Sequence, residues 1–430
     1  MRMSVFQTVL LASFGALAIS GLLIFALFVG GGNSNAIGPV TIWGTFDRSS
    51  FDAVLDSSIY SKQLTDVTYI QKDSATFGQE LTNALAGGTG PDLFFLRQDD
   101  SVRDANKILS IPYTYLSHSQ FEDTFVEAAQ PYLGTDGVLG IPVLIDPMVM
   151  YWNRDLLSVA GIAQPPQYWG ELQGMVQRLV KRSDSGAISK AAVSFGEYSN
   201  VQHAKDILSL IILQTGGSIT RLDVEGNLLP ALRAYASGSA QSAESAVRFY
   251  TEFADPTKIN YSWNRSLPNS RAAFTAGDLA FYFGYASEAS AITRANPNLN
   301  FGVAPVPQVR DASRARTVAH VYALAVSRLS VNPQGAITAA NLIGSDVVGA
   351  ALSAEFGVPS ARRDVLAAGE GVANPLFLRE SLIAQSWVDP NPEATNLVFR
   401  DMIEGVVSGA VRLSEAIQRA DQEIAQIIGR

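Results

Sequence analysis

The apolar positions along this chain fall into two regimes. Residues 5–29 are overwhelmingly Leu, Ala, Val, Ile, Phe and Gly, and Arg2 is the only charged side chain before Asp47. A bilayer is crossed by about 20 consecutive apolar residues, whereas a signal-peptide core runs about 7–15. The stretch therefore predicts an uncleaved transmembrane anchor over 1–30, with a cleavable signal as the alternative that the small residues Ala16 and Ala18 leave open. Arg2 on the amino-terminal side predicts a cytoplasmic N-terminus by the positive-inside rule. The Gly30-Gly31-Gly32-Asn33-Ser34-Asn35 run reads as a flexible linker over 31–37, and everything beyond it is expected outside the membrane.

From residue 38 onward the pattern changes to short strand and helix periods in alternation. Strands are predicted over 40–43, 67–70 and 93–96, with a helix over 50–60 between the first two. Phe77, Leu81, Ala84 and Leu85 recur at helical spacing, and Gly87-Gly88 ends that helix. The run Leu93-Phe94-Phe95-Leu96 is apolar on both faces, the mark of a strand covered on both sides. Strand, helix, strand, helix, strand at this pitch predicts an α/β architecture with a parallel sheet. Further strands are predicted over 140–144, 149–152, 279–283, 301–304 and 322–326, and helices over 172–180, 206–213 and 242–253. Leu413, Ile417, Ala420, Ile424 and Ile427 form one apolar stripe, with Ser414 as a plausible N-cap.

Composition then removes whole classes of function. The 430 residues contain no Cys, which excludes thiol catalysis, disulfides, thiolate metal sites and a lipidated N-terminal Cys. A formal charge of −9 with no basic run argues against nucleic acid as a partner. His118, His203 and His320 are far apart in sequence and outside any metal-ligand spacing, so each reads as a surface or packing residue. No phosphate-binding loop is present, because Gly87-Gly88-Thr89-Gly90 precedes a strand rather than a helix. No cofactor and no metal are expected. A carboxylate pair for glycoside hydrolysis is a three-dimensional feature and stays open as a rival.

A set of ordered motifs carries a family resemblance. These are Thr41-Ile42-Trp43-Gly44 with Asp47, Leu85-Ala86-Gly87-Gly88-Thr89-Gly90-Pro91-Asp92-Leu93, Gly140-Ile141-Pro142 with Asp146, and Tyr151-Trp152-Asn153-Arg154-Asp155-Leu156-Leu157. Gly161, Pro165-Pro166, Trp169 and Leu172 follow, then Ala273-Phe274, Gly277-Asp278-Leu279-Ala280, Ala304-Pro305-Val306-Pro307, Gly357-Val358-Pro359-Ser360 and Ser414-Glu415-Ala416. In this order the chain resembles the bacterial extracellular solute-binding proteins of the sugar type, the maltose-binding-protein-like group, over essentially all of 39–430. The resemblance implies the type II periplasmic-binding-protein fold, two α/β lobes joined by a hinge. Lobe 1 is expected over 38–144 and 310–360, and lobe 2 over 145–309 and 361–430. It further implies a monomeric, non-enzymatic receptor of an ABC-type importer whose partners are permease subunits and a small solute, foremost a carbohydrate. Leu96 and Asp146 depart from the group, which often has an aromatic and a longer Glu at those positions.

Sugar recognition needs aromatic faces for ring C–H groups and carboxylates for hydroxyls. Asp47, Asp99 and Asp146, each after a predicted strand, match ligand-holding positions of the family. Trp263 and Tyr285 are the stacking candidates, and Trp387 lies in a Pro-rich stretch able to line the cleft mouth. Glu197, with Tyr198 and Asn200, precedes the 206–213 helix where relatives touch ligand, while mid-strand Trp43 leans toward the core. Rival readings are an extracellular glycoside hydrolase, a sensing module without transport, and a polyamine or peptide receptor.

Overall fold

The computed structural model of the chain describes residues 37–233 and 242–429. The apolar stretch expected as an anchor lies outside the described residues. Among the described residues no single helix is long and apolar enough to cross a membrane.

The first third folds as its periodicity predicts. Strands Val40–Gly44, Val67–Gln71 and Leu93–Arg97 pair in parallel, with Val40–Gly44 in the middle. Helix Arg48–Ser57 buries Phe51, Val54 and Leu55 on one face. Phe51 stacks on Tyr69 at 4.2 Å, locking that helix to the sheet. Helix Phe77–Ala86 buries Leu81 and Leu85 and stops at Gly87, after which Gly88 takes a left-handed φ of 69°.

The 13-residue strand Ile141–Asn153 organises the rest. Its first half, through Pro147, pairs antiparallel with Thr317–Val326, and its second half, from Met148, pairs antiparallel with Leu279–Tyr285. Phe301–Ala304 also pairs with the second half, and Leu279–Tyr285 pairs in parallel with Ile188–Val193. Thr317–Val326 in turn pairs with Leu93–Arg97, so one ten-stranded, curled sheet runs through both halves of the molecule. The predicted strands over 140–144 and 149–152 are thus one strand. The Asp146-Pro147 pair between them reads as a break, but Pro147 still accepts a hydrogen bond at its carbonyl from the Ala286 amide at 3.0 Å.

Three helices start on an Asn-Pro pair: Asn332, Asn374 and Asn391 cap them, with a proline in the first turn. The Asn side chain accepts from an orphan amide, and proline has no amide to leave unpaired. The C-terminal helix Leu413–Ile428 is capped by Arg412 without a side-chain bond, so Ser414 is not its N-cap. Segment 361–385, expected with lobe 2, bonds to elements of the first half. The Val126 amide donates to the Ala361 carbonyl at 3.0 Å, and Ala384–Gln385 pairs with Thr317 and Val318.

Candidate functional site

The carboxyl ends of Leu93–Arg97 and Leu279–Tyr285 converge where the two half-sheets meet on the shared strand, near residues 145–148. Ligands of open α/β sheets bind outside such carboxyl ends. The Gln98 side chain anchors the first of these turns, accepting from the Val321 amide at 2.7 Å and donating to the Ala319 carbonyl at 3.3 Å. Asp99 then accepts two bonds from the Arg97 guanidinium, at 2.5 and 2.7 Å. At the second turn, the Tyr285 ring stacks on His320 with centroids 4.0 Å apart and meets His203 edge-on at 4.8 Å. His203 precedes helix Ala204–Gln214 in a left-handed conformation, φ 62°, which sends its ring toward Glu288 at 2.8 Å.

Between the two turns lies a cavity of about 30 Å³ lined by Asp99, Lys205, Asp206, Tyr285, His320 and Trp387, among others. Ser209, 1% exposed, also lines it, and its hydroxyl has no partner among the described residues. Lys205 is bound by Asp389 at 2.6 Å and by the Thr395 hydroxyl at 2.9 Å. Trp387 packs against Phe399, and the Lys205 ammonium lies 5.3 Å from its ring centre.

Next to it opens a cleft of about 700 Å³, within the range that holds small-molecule ligands. One wall is built by Thr45, Ser74, Gln79, Asn106 and Tyr322, and the other by Pro392, Glu393 and Asn396 at the start of helix Pro392–Val407. Its charges compensate one another. Arg103 bonds Asp100 at 3.0 Å and Asp104 at 2.9 Å and reaches across to Glu393, while Lys107 bonds Asp104 at 2.7 Å.

Burial and neighbouring charge pull the titratable groups apart. Burial raises Asp100 to about 7, with the Asp99 charge adding to it, whereas Arg97 overrides burial at Asp99 and holds it at about 2. Burial, and then Arg97, lower His320 to about 4. Burial raises Asp146 to about 6.

The structure brings together three of the sequence-derived candidates, Asp99, Tyr285 and Trp387, around the small cavity. The others do not line that cavity. Asp47 is the exposed N-cap of Arg48–Ser57, accepting from the Ser49 hydroxyl and the Ser50 amide. Asp146 is buried in the shared strand and accepts from the Ser287 amide. Trp263 is 1% exposed, and its indole N–H is used by Asn200 at 3.0 Å, so it is a core residue with no face to offer. Glu197 is buried and paired with Arg265 at 3.1 Å. Trp43 is buried beneath Lys72. His203, Lys205, Asp206, His320 and the Arg97 and Arg103 networks were missed. A histidine alone carries no sequence signal, and 117 residues separate His203 from His320 in the chain.

Residues 61–378 match the family of bacterial extracellular solute-binding proteins. Over 96 residues the chain is 29% identical to chains described as binding proteins of Brucella abortus and Brucella suis, 22% of this chain and 23% of theirs, so it spans less than a quarter of those relatives. The fold is that of the cyclic α-maltosyl-1,6-maltose binding protein of Arthrobacter globiformis, at TM-score 0.73 and 18% identity over 91% of this chain and 99% of that one. An ABC transporter solute-binding protein of Thermotoga lettingae bound with α-D-tagatose superposes at TM-score 0.68 and 20% identity, over 91% and 100%. The sugar-binding protein MalE of Xanthomonas citri superposes at 0.70 and 19%, over 91% and 97%. With three quarters of its length inside the family match and the fold shared over 91% of the chain, this chain belongs to the bacterial extracellular solute-binding proteins.

Proposed function

We propose that this chain is the receptor of an ABC-type importer and that it captures a neutral carbohydrate in the cleft between two lobes, without transforming it. Its N-terminal apolar stretch would hold it at the outer face of the cytoplasmic membrane, where permease subunits receive the loaded form. Lobe 1 would comprise 38–144 with 317–385, and lobe 2 148–309 with 386–429, hinged on the shared strand. Ligand bound from both sides favours the closed arrangement, since only that arrangement offers both sets of contacts.

One observation carries the carbohydrate reading. In the larger cleft the cations and carboxylates are engaged with one another, while Thr45, Ser74, Gln79, Asn106, Asn396 and Tyr322 make no side-chain hydrogen bond to another described residue. A charged solute would have to break buried or half-buried ion pairs, whereas a polyol meets free hydroxyls and amides. The sugars bound by the structural relatives agree with this chemistry. A thermal-shift screen of mono- and oligosaccharides against the chain tests it. A cognate sugar at 100 times its Kd should add about 2.7 kcal/mol of stability. Its affinity by calorimetry should hardly change with added salt. Stabilisation by polyamines or sugar phosphates alone, with affinity falling steeply in salt, would overturn the assignment, and release of a cleaved sugar would establish the hydrolase instead.

A further inference from the structure

The loop over 327–332, which follows strand Thr317–Val326, carries its polarity the wrong way round for a loop in water. Leu329 is 60% exposed and Val331 94%. The polar residues beside them turn inward instead. The Ser330 hydroxyl donates to the buried Asp92 carboxylate at 2.6 Å, and the other oxygen of Asp92 accepts the Thr41 amide at 3.0 Å. The Asn332 amide group donates to the carbonyls of Ile37 and Pro39 at 3.0 and 3.2 Å, while its oxygen caps helix Pro333–Ile343. These bonds tie alternate residues to the sheet and hold the two aliphatic side chains outward. A third apolar residue, Leu109, stands beside the loop, its amide donating to the Val326 carbonyl at 2.8 Å. One exposed aliphatic residue is ordinary on a protein surface. Two that a bonded loop turns outward, next to a third, mark a contact with something apolar.

The same loop fixes the point where the chain enters the fold, because Asn332 holds Ile37 and Pro39. Only residues 30–36 separate Ile37 from the apolar stretch over 5–29. Fully extended, that segment reaches about 25 Å. We propose that Leu329 and Val331 dock the receptor on the bilayer in which its own N-terminal stretch is anchored, dipping into the lipid interface. The proposal rests on the reading of 5–29 as a membrane anchor. So short a tether makes the contact intramolecular, and two aliphatic side chains then hold a surface that they would not hold on a free protein. Strand Val40–Gly44 begins directly after Pro39, and Thr45 beyond its other end lines the larger cleft. Dock and cleft therefore lie at opposite ends of one strand, and the docked receptor turns its cleft away from the bilayer, toward arriving solute. Delivery to a permease requires the loop to leave the lipid, which a contact of two side chains permits.

The absence of Cys lets a single fluorophore be placed on the full chain without background. Gln334→Cys puts it at an exposed position in the first turn of the helix behind the loop, and Val224→Cys, 97% exposed on the hairpin that joins Thr220–Leu222 to Leu228–Pro230, serves as the reference. The chain is reconstituted in phosphatidylcholine vesicles that contain a nitroxide-bearing lipid. The Gln334 label should be quenched by that lipid and shielded from aqueous iodide, and the Val224 label should be neither. Leu329→Ser combined with Val331→Ser should lower the ratio of docked to undocked chain roughly tenfold. Both side chains are exposed, so the melt of this variant should match that of the parent. A Gln334 label as open to iodide as the Val224 label, on a chain that floats with the vesicles, overturns the dock and keeps the anchor. Shielding from iodide without quenching by lipid overturns it too, and assigns the loop to the chain's own apolar residues. Shielding that survives both Ser substitutions puts the contact elsewhere. A chain that does not float with the vesicles loses anchor and dock together, while the carbohydrate assignment still stands or falls on the thermal-shift screen.

Discussion

Asp146→Asn should stabilise the protein at neutral pH, although Asp146 matches a ligand-holding position of the family. The carboxyl is 3% exposed inside the shared strand, and one oxygen accepts the Ser287 amide at 2.9 Å. Burial, with a smaller contribution from Glu288, raises its pKa from 3.8 to about 6. The folded chain thus holds this proton more tightly than the unfolded chain. Ionisation costs nothing below pH 3.8 and reaches its full cost above pH 6. Two units correspond to about 3 kcal/mol, the upper limit of the gain on removing the charge. Asn keeps an oxygen for the Ser287 amide, and its new N–H₂ group offsets part of that gain where it finds no acceptor. Urea unfolding at about pH 8 should show the variant more stable by roughly 1–3 kcal/mol, with the gap closing near pH 4. A variant less stable at pH 8, or a gap that does not change with pH, refutes the reasoning.

Trp263 and Trp387, a stacking candidate and a cleft-mouth candidate in the sequence, should separate in their effects. Trp263→Ala removes a fully buried ring and should cost roughly 3–5 kcal/mol in a denaturant melt. Trp387→Ala, at the half-buried lining of the small cavity rather than of the larger cleft, should cost less in the same melt and leave sugar affinity by calorimetry nearly unchanged. Lys205→Met leaves Asp389 as a buried, uncompensated carboxylate, so stability should fall by roughly 3–5 kcal/mol at neutral pH and recover in acid as Asp389 takes up a proton. Loss of stability that persists unchanged into acid would show that the pair matters for packing rather than charge.

What could be read from the sequence divides along the range of the interactions involved. Strands Val40–Gly44 and Leu93–Arg97 were legible because burial on one or both faces writes itself into neighbouring residues. The shared strand was read as two pieces, because Asp146-Pro147 looks like a turn when only adjacent residues are considered. Its continuity comes from Thr317–Val326 and Leu279–Tyr285, each more than 120 residues away in the chain. Asp47 illustrates the same limit at a single residue. An Asp after a strand and before a helix serves equally well as ligand holder or N-cap, and the Ser49 and Ser50 groups beside it supply the donors that make it a cap. Trp263 reads as a stacking candidate from its residue type alone, yet the Ser262 hydroxyl beside it donates to Val193 and accepts from the Ala192 and Val193 amides, drawing the tryptophan inward. The histidines mark the far end of this scale. Nothing local to His203 or His320 points to function, and their meeting at Tyr285 depends on sheet pairing, a left-handed residue and a helix start arriving at one place. A site assembled at the joint of two half-sheets is written in long-range pairing. For that reason the cluster could be found only once Thr317–Val326 and Leu279–Tyr285 had been placed on the shared strand.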